Sequence, residues 1–77
     1  MEKLLELLHN IRPDVDFRNE DKLIDGGFLD SFDIVSIISE LDNEYGINVR
    51  VHELTPENFN SAGSILRMIE RLKKANS

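Results

Sequence analysis

Leu4, Leu5, Leu8 and Ile11 recur at three- and four-residue intervals between Glu2 and Arg12, which predicts an amphipathic helix with a leucine face. Pro13 stops it. From Asp14 to Asp25 the segment is highly charged and its apolar residues are irregularly spaced. A long loop is expected there, pinned to the core by Phe17, Leu23 and Ile24 and holding one helical turn near Glu20 to Ile24. Loops of this length lie above the usual range and are more often functional than accidental. The helical period returns after Asp30. Ile34, Ile38, Leu41 and Tyr45 form one stripe at spacings of four, three and four, widened by Val35 and Ile37, and Gly46 stands where a helix end favours a left-handed residue. A second helix is therefore expected from Ser31 to about Tyr45.

Ile47-Asn48-Val49-Arg50-Val51 alternates like a strand, yet the chain offers no second strand for it to pair with. An extended connection is expected, placing Ile47, Val49 and Val51 against the core. Thr55 as N-cap and Pro56 at the first helical position predict a short third helix anchored by Leu54 and Phe59. Asn60 or Ser61 then caps a last helix reaching Lys74, with Ile65, Leu66, Ile69 and Leu72 inward. Arg67, Arg71, Lys73 and Lys74 crowd its C-terminal half, where cations suit the helix dipole. The expected fold is all-α: a single domain, 1–77, of three main helices plus one short one around one apolar core.

Composition narrows the chemistry. At 77 residues the core must be small, and a hydrophobic fraction of 40% suffices for one cluster. The chain has no cysteine, which removes disulfides, cysteine metal sites and thiol catalysis by the protein itself. No apolar run approaches the roughly 18 residues of a membrane span, and Met1 to Glu6 is too charged for a signal peptide, so a cytoplasmic protein without membrane insertion is expected. Fifteen acidic against nine basic residues give a formal net charge of −6, which disfavours nucleic acid and favours basic protein partners. Much of this acidity lies on the second helix, where Asp33, Glu40, Asp42 and Glu44 meet no lysine or arginine between Ser31 and Tyr45.

Catalytic and metal readings find little support. His9 and His52 are the only imidazoles, and neither has a local pattern that delivers it to a serine. Gly27 to Ser31 differs from the G-x-S-x-G nucleophile elbow. Asp14-Val15-Asp16 lacks the spaced oxygens, central glycine and terminal glutamate of an EF-hand loop. Neither an enzyme nor a metal site is expected.

The most informative stretch is Gly26-Gly27-Phe28-Leu29-Asp30-Ser31-Phe32-Asp33. Two glycines mark a turn, Asp30 stands at the N-cap, and Asp33 falls at N3, where a carboxylate satisfies unpaired amides and the dipole. With capping assigned to Asp30, the Ser31 hydroxyl is free to point outward from the first helical position.

With its length, its acidic second helix and the long loop before it, this block resembles the acyl carrier proteins. That family carries a 4′-phosphopantetheine arm on the serine of a DSL-type motif, here Asp30-Ser31-Phe32. The resemblance covers essentially the whole chain. It implies attachment of the arm to Ser31 and engagement of the phosphopantetheinyl transferase and its Mg²⁺ by Asp30. It also implies partner contacts at Phe32, Asp33 and Val35, and an acidic surface for basic patches of partner enzymes at Glu40, Asp42 and Glu44. The cofactor, derived from CoA, would supply the thiol that the sequence lacks. Partners would be the transferase, an acyl- or aminoacyl-activating ligase, and acyl-transfer or synthase enzymes, met by a monomeric carrier. Phe32 in place of the usual Leu, with Ser36, Ser39 and uncharged Asn43, thins the usual recognition surface. The leading expectation is a carrier of acyl thioesters in fatty-acid, lipid or polyketide-type synthesis. Phe32 also resembles D-alanyl, aminoacyl and peptidyl carriers loaded by an adenylating ligase, which form the first alternative. An acidic helical interaction module with no prosthetic group is the second.

Overall fold

The computed structural model describes residues 1–75. Four α-helices follow one another: α1 (Glu2–Ile11), α2 (Ser31–Tyr45), α3 (Pro56–Phe59) and α4 (Ala62–Ala75), with a single 3₁₀ turn at Val51–Glu53. There is no strand among the described residues, so the all-α expectation holds. Among the described residues no helix is long and apolar enough to cross a membrane. α4 packs against each of the other three helices and α1 also packs against α2.

The core is built from helical spacing, but not always from the face the pattern suggested. On α1 the buried residues are Leu4, Leu7 and Leu8, with Leu5 and Ile11 only partly covered. Two leucine faces share Leu4 and Leu8, and the positions of α2 and α4 decide between them. On α2 the fully buried pair is Ile37 and Leu41, flanked by half-buried Ile34, Ile38 and Tyr45. Val35, expected to widen the stripe, is 65% exposed. On α4 Ala62, Ile65, Met68 and Ile69 are buried, whereas Leu66 and Leu72 lie at the margin.

The long connection between α1 and α2 is fixed by Val15, Phe17, Leu23 and Leu29, all buried, with Ile24 partly so. The helical turn expected at Glu20 to Ile24 does not form. The Leu23 amide donates to the Asn60 carbonyl at 2.9 Å, and the Ile24 and Asp25 amides donate to Asn60 Oδ1 at 3.0 and 3.1 Å. Three successive donors that a helix would direct at its preceding turn are thereby taken by one residue of another element. Asn60 is thus a clamp on this loop, and Ser61 is the residue that caps α4, its Oγ accepting from the Ser64 amide at 3.1 Å.

After Gly46, which has φ +64°, the chain runs extended and buries Ile47 and Val49 as expected. Val51 instead is 84% exposed and Leu54 41% exposed. In a 3₁₀ turn residues three apart eclipse one another, so Val51 and Leu54 share the outer side while Glu53 turns inward. The buried Glu53 carboxylate takes a forked pair of hydrogen bonds from Arg71 of α4, at 2.9 and 2.5 Å, and a third from Asn58 at 3.1 Å. Thr55 occupies the N-cap position of α3 without a side-chain capping bond, and Pro56 begins the helix.

Two consequences are measurable. Leu8→Ala is expected to cost roughly 2 to 5 kcal/mol in denaturant unfolding, because Leu8 is fully buried, and Leu66→Ala less. Hydrogen bonding from Arg71 holds the Glu53 carboxyl below its ordinary value of 4.5. A depressed folded-state value adds stability that is complete above 4.5 and is lost as pH falls through the lower folded value. The thermal midpoint therefore drops with acidification below about pH 4.5, and Glu53→Gln flattens that drop; an equally steep profile in the variant contradicts the assignment.

Candidate functional site

The start of α2 is shaped by the turn before it. Gly27 has φ +77°, a left-handed conformation that suits glycine, and a Cβ at Gly26 would lie 2.6 Å from the Lys22 carbonyl oxygen. The Phe28 and Leu29 amides both donate to the Leu23 carbonyl at 3.0 Å, and Leu29 plugs into the core. The chain then leaves the interior at Asp30 in an extended conformation and enters the helix.

A reciprocal pair of hydrogen bonds closes that entrance. The Asp33 amide donates to Asp30 Oδ1 at 2.9 Å and the Asp30 amide donates to Asp33 Oδ2 at 3.1 Å. Asp30 and Asp33 stand at the N-cap and N3 positions read from the sequence, and together they form a capping box. Its amide bonds, that of Asp33 foremost, hold the Asp30 carboxyl below its ordinary value, so Asp30 is a carboxylate at neutral pH. Because these two aspartates satisfy the helix start, Ser31 sits at the first helical position, exposed and outside the capping bonds.

The other residues singled out from the sequence separate into an exposed apolar pair, an exposed acidic set and the buried Asp33. Phe32 is 83% exposed and Val35 stands beyond it on the same helix, an apolar surface beside Ser31. Glu40, Asp42 and Glu44 are exposed further along α2, and Glu44 meets Lys3 of α1 at 3.3 Å. Asp33 differs: expected as a surface contact, it is only 9% exposed and is held by the capping box and by the Arg12 guanidinium. That guanidinium also makes a forked pair of bonds to Asp14 at 3.0 and 2.9 Å, and both carboxylates keep the arginine protonated. Arg12 was not among the sequence candidates. Its only local signal was a cation at the end of α1, and its partner at position 33 is far away in sequence.

Beside Ser31 an apolar cleft of about 270 Å³ opens between α2 and α3, lined by Ile24, Ile34, Val35, Leu54 and Phe59. Leu54 was expected in the core and is here a wall of the cleft. No histidine, lysine or carboxylate lines it, so no cleft side chain takes a proton from Ser31. His52 is exposed and lies 3.4 Å from Glu53, and His9 is exposed on α1. The residues present fit a phosphate-linked arm: a free hydroxyl at the N-terminus of a 15-residue helix, whose dipole favours an anion, next to an apolar recess.

No protein-family model matches the chain. Among curated proteins it is 37% identical over 62 residues to a D-alanyl carrier protein of Streptococcus mutans, covering 80% of this chain and 78% of the relative. It is 31% identical over 74 residues to a D-alanyl carrier protein of Streptococcus sanguinis, covering 95% and 94%. A third, from Streptococcus gordonii, is 36% identical over 62 residues, covering 80% and 78%. On these similarities and its four-helix fold, the chain belongs to the family of acyl and aminoacyl carrier proteins.

Proposed function

We propose that this protein is a D-alanyl carrier, bearing 4′-phosphopantetheine on Ser31 and presenting an activated D-alanyl group to partner enzymes without catalysing a reaction itself. The observation that carries the reading is the exposed Ser31 hydroxyl at the first position of α2, released from capping by Asp30 and Asp33. The names of the relatives favour this aminoacyl reading over the broader expectation of fatty-acid, lipid or polyketide-type synthesis.

In the modification step Ser31 Oγ forms a new ester bond to the phosphorus next to the pantetheine arm of CoA. The phosphoanhydride bond breaks, 3′,5′-ADP leaves, and the hydroxyl proton passes to the phosphopantetheinyl transferase. Asp30, an exposed carboxylate adjoining Ser31, is placed to engage the transferase and its Mg²⁺. The bound arm would supply the thiol on which an acyl group is held as a thioester. The ester would carry its negative charge at the α2 N-terminus, where the helix dipole favours an anion.

The rest of α2 serves recognition. A carrier has to meet several enzymes briefly, so steering at long range and a small apolar anchor suit it better than a large interface. Glu40, Asp42 and Glu44 supply the first toward basic patches on the transferase and an adenylating ligase, and Phe32 with Val35 supplies the second. Asp33 contributes from below, by holding the helix start rather than by touching the partner.

Intact-mass measurement after incubation with CoA, Mg²⁺ and a transferase is expected to show a gain of about 340 Da, absent in Ser31→Ala. Addition of ATP, D-alanine and the adenylating ligase is expected to add about 70 Da more, whereas a fatty acid with its own ligase adds nothing. Loading by fatty acid and not D-alanine contradicts the cargo; modification of Ser31→Ala contradicts the site. Charge reversal at Glu40 and Asp42 is expected to slow loading more at low salt than at high, as measured from initial rates; equal slowing at both contradicts steering.

A further inference from the structure

Asp33 is a costly residue to place where it is. Its carboxylate is nearly buried beneath the first turn of α2, and a desolvated negative charge persists only when paired. Oδ2 accepts from the Asp30 amide at 3.1 Å and from Nη1 of Arg12. The same guanidinium uses Nε and Nη2 on Asp14, and the Arg12 amide closes α1 by donating to the Leu8 carbonyl at 3.0 Å. One side chain thus joins the end of α1, the beginning of the long loop and the entrance of α2. Without Arg12, Asp33 relieves its unpaired charge by turning toward water. Turning outward breaks the reciprocal bond with Asp30, and the turn that carries Ser31 loosens.

The geometry points to Arg12 as the positioning residue for modification of Ser31: acting through Asp33, it holds the first turn of α2 in the form the transferase acts on. This inference rests on the carrier reading above. The side-chain hydrogen bonds of Arg12 go to Asp14 and Asp33 and not to Ser31 or the proposed docking residues on α2, so its effect belongs in the chemical step rather than in docking. Its positive charge also offsets part of the repulsion that Asp30 and Asp33 exert on an incoming phosphate.

The test measures transferase kinetics with CoA for wild type, Arg12→Gln, Arg12→Lys, Asp33→Asn and the Arg12→Gln/Asp33→Asn double variant, alongside amide hydrogen exchange. Arg12→Gln is expected to lower kcat roughly tenfold with KM for the carrier changed less than about twofold, and Arg12→Lys to recover part of the loss. In the Asp33→Asn background the same change is expected to alter kcat less than about twofold, because the partner it acts through is already neutral. Exchange is expected to quicken at Asp33 and Ile34 and to stay unchanged at Leu41. An unchanged kcat, an equal loss in the Asp33→Asn background, or loss of protection along the whole of α2 overturns the proposal. If Arg12→Gln does not fold, Arg12→Lys carries the test, with a kcat equal to wild type as the overturning result. Wild-type protein that gains no mass overturns this proposal together with the carrier reading. A modified wild type beside equally fast Arg12→Gln overturns this proposal alone.

Discussion

Two carboxylates exchange hydrogen bonds with each other's backbone at the start of α2, and the proposed chemistry of the protein depends on that exchange. The first amides of a helix need acceptors, and a serine near the start commonly spends its hydroxyl oxygen in accepting from one of them. Here Asp30 and Asp33 meet the need on either side of Ser31. The serine is thereby left with a fixed backbone and a free side chain, the combination that suits the proposed modification. The Gly26-Gly27 turn, the buried Leu29 and the Asn60 clamp hold the preceding chain in register, and Arg12 pairs the buried charge of Asp33.

The same helix divides its labour by face. Ile37 and Leu41 tie it to the core, while Phe32 and Val35 stay in water beside Ser31 and the acidic side chains extend toward its far end. Exposed apolar residues are a liability unless a partner covers them. Under the proposed function they form an anchor beside the modified serine small enough to release, and the net charge of −6 would let encounters be fast without making them tight. Opposite α2, the buried Glu53 carboxylate, paired with the exposed Arg71 guanidinium, sets the 3₁₀ turn that presents Leu54 to the cleft, so one ion pair shapes the wall facing Ser31.

What could be read from the chain was local. The bounds of α2, its capping box and the left-handed Gly46 rest on interactions within a few residues, and each follows from the residue types present. The serine motif is equally compact, which made the candidate site legible. Choices that depend on distant partners were not. Leu7 rather than Leu5 is buried because of where α2 and α4 lie, Val35 turns out while Ile37 turns in, and Val51 and Leu54 are lifted out by a turn that Arg71 stabilises from another helix. Arg12 and Asn60 each act on residues more than a helix length away in sequence, beyond the reach of periodicity or capping rules. Cargo identity was left between alternatives by the motif, and the relatives favour the aminoacyl one.

The central claim is that the aspartate pair reserves Ser31 for the arm, and fragment-ion mapping of the protein after incubation with CoA and a transferase tests it most directly. Three serines lie on α2, at positions 31, 36 and 39. The account predicts that the phosphopantetheine mass localises to Ser31 alone; its localisation to Ser36 or Ser39, or to no residue of α2, would contradict it.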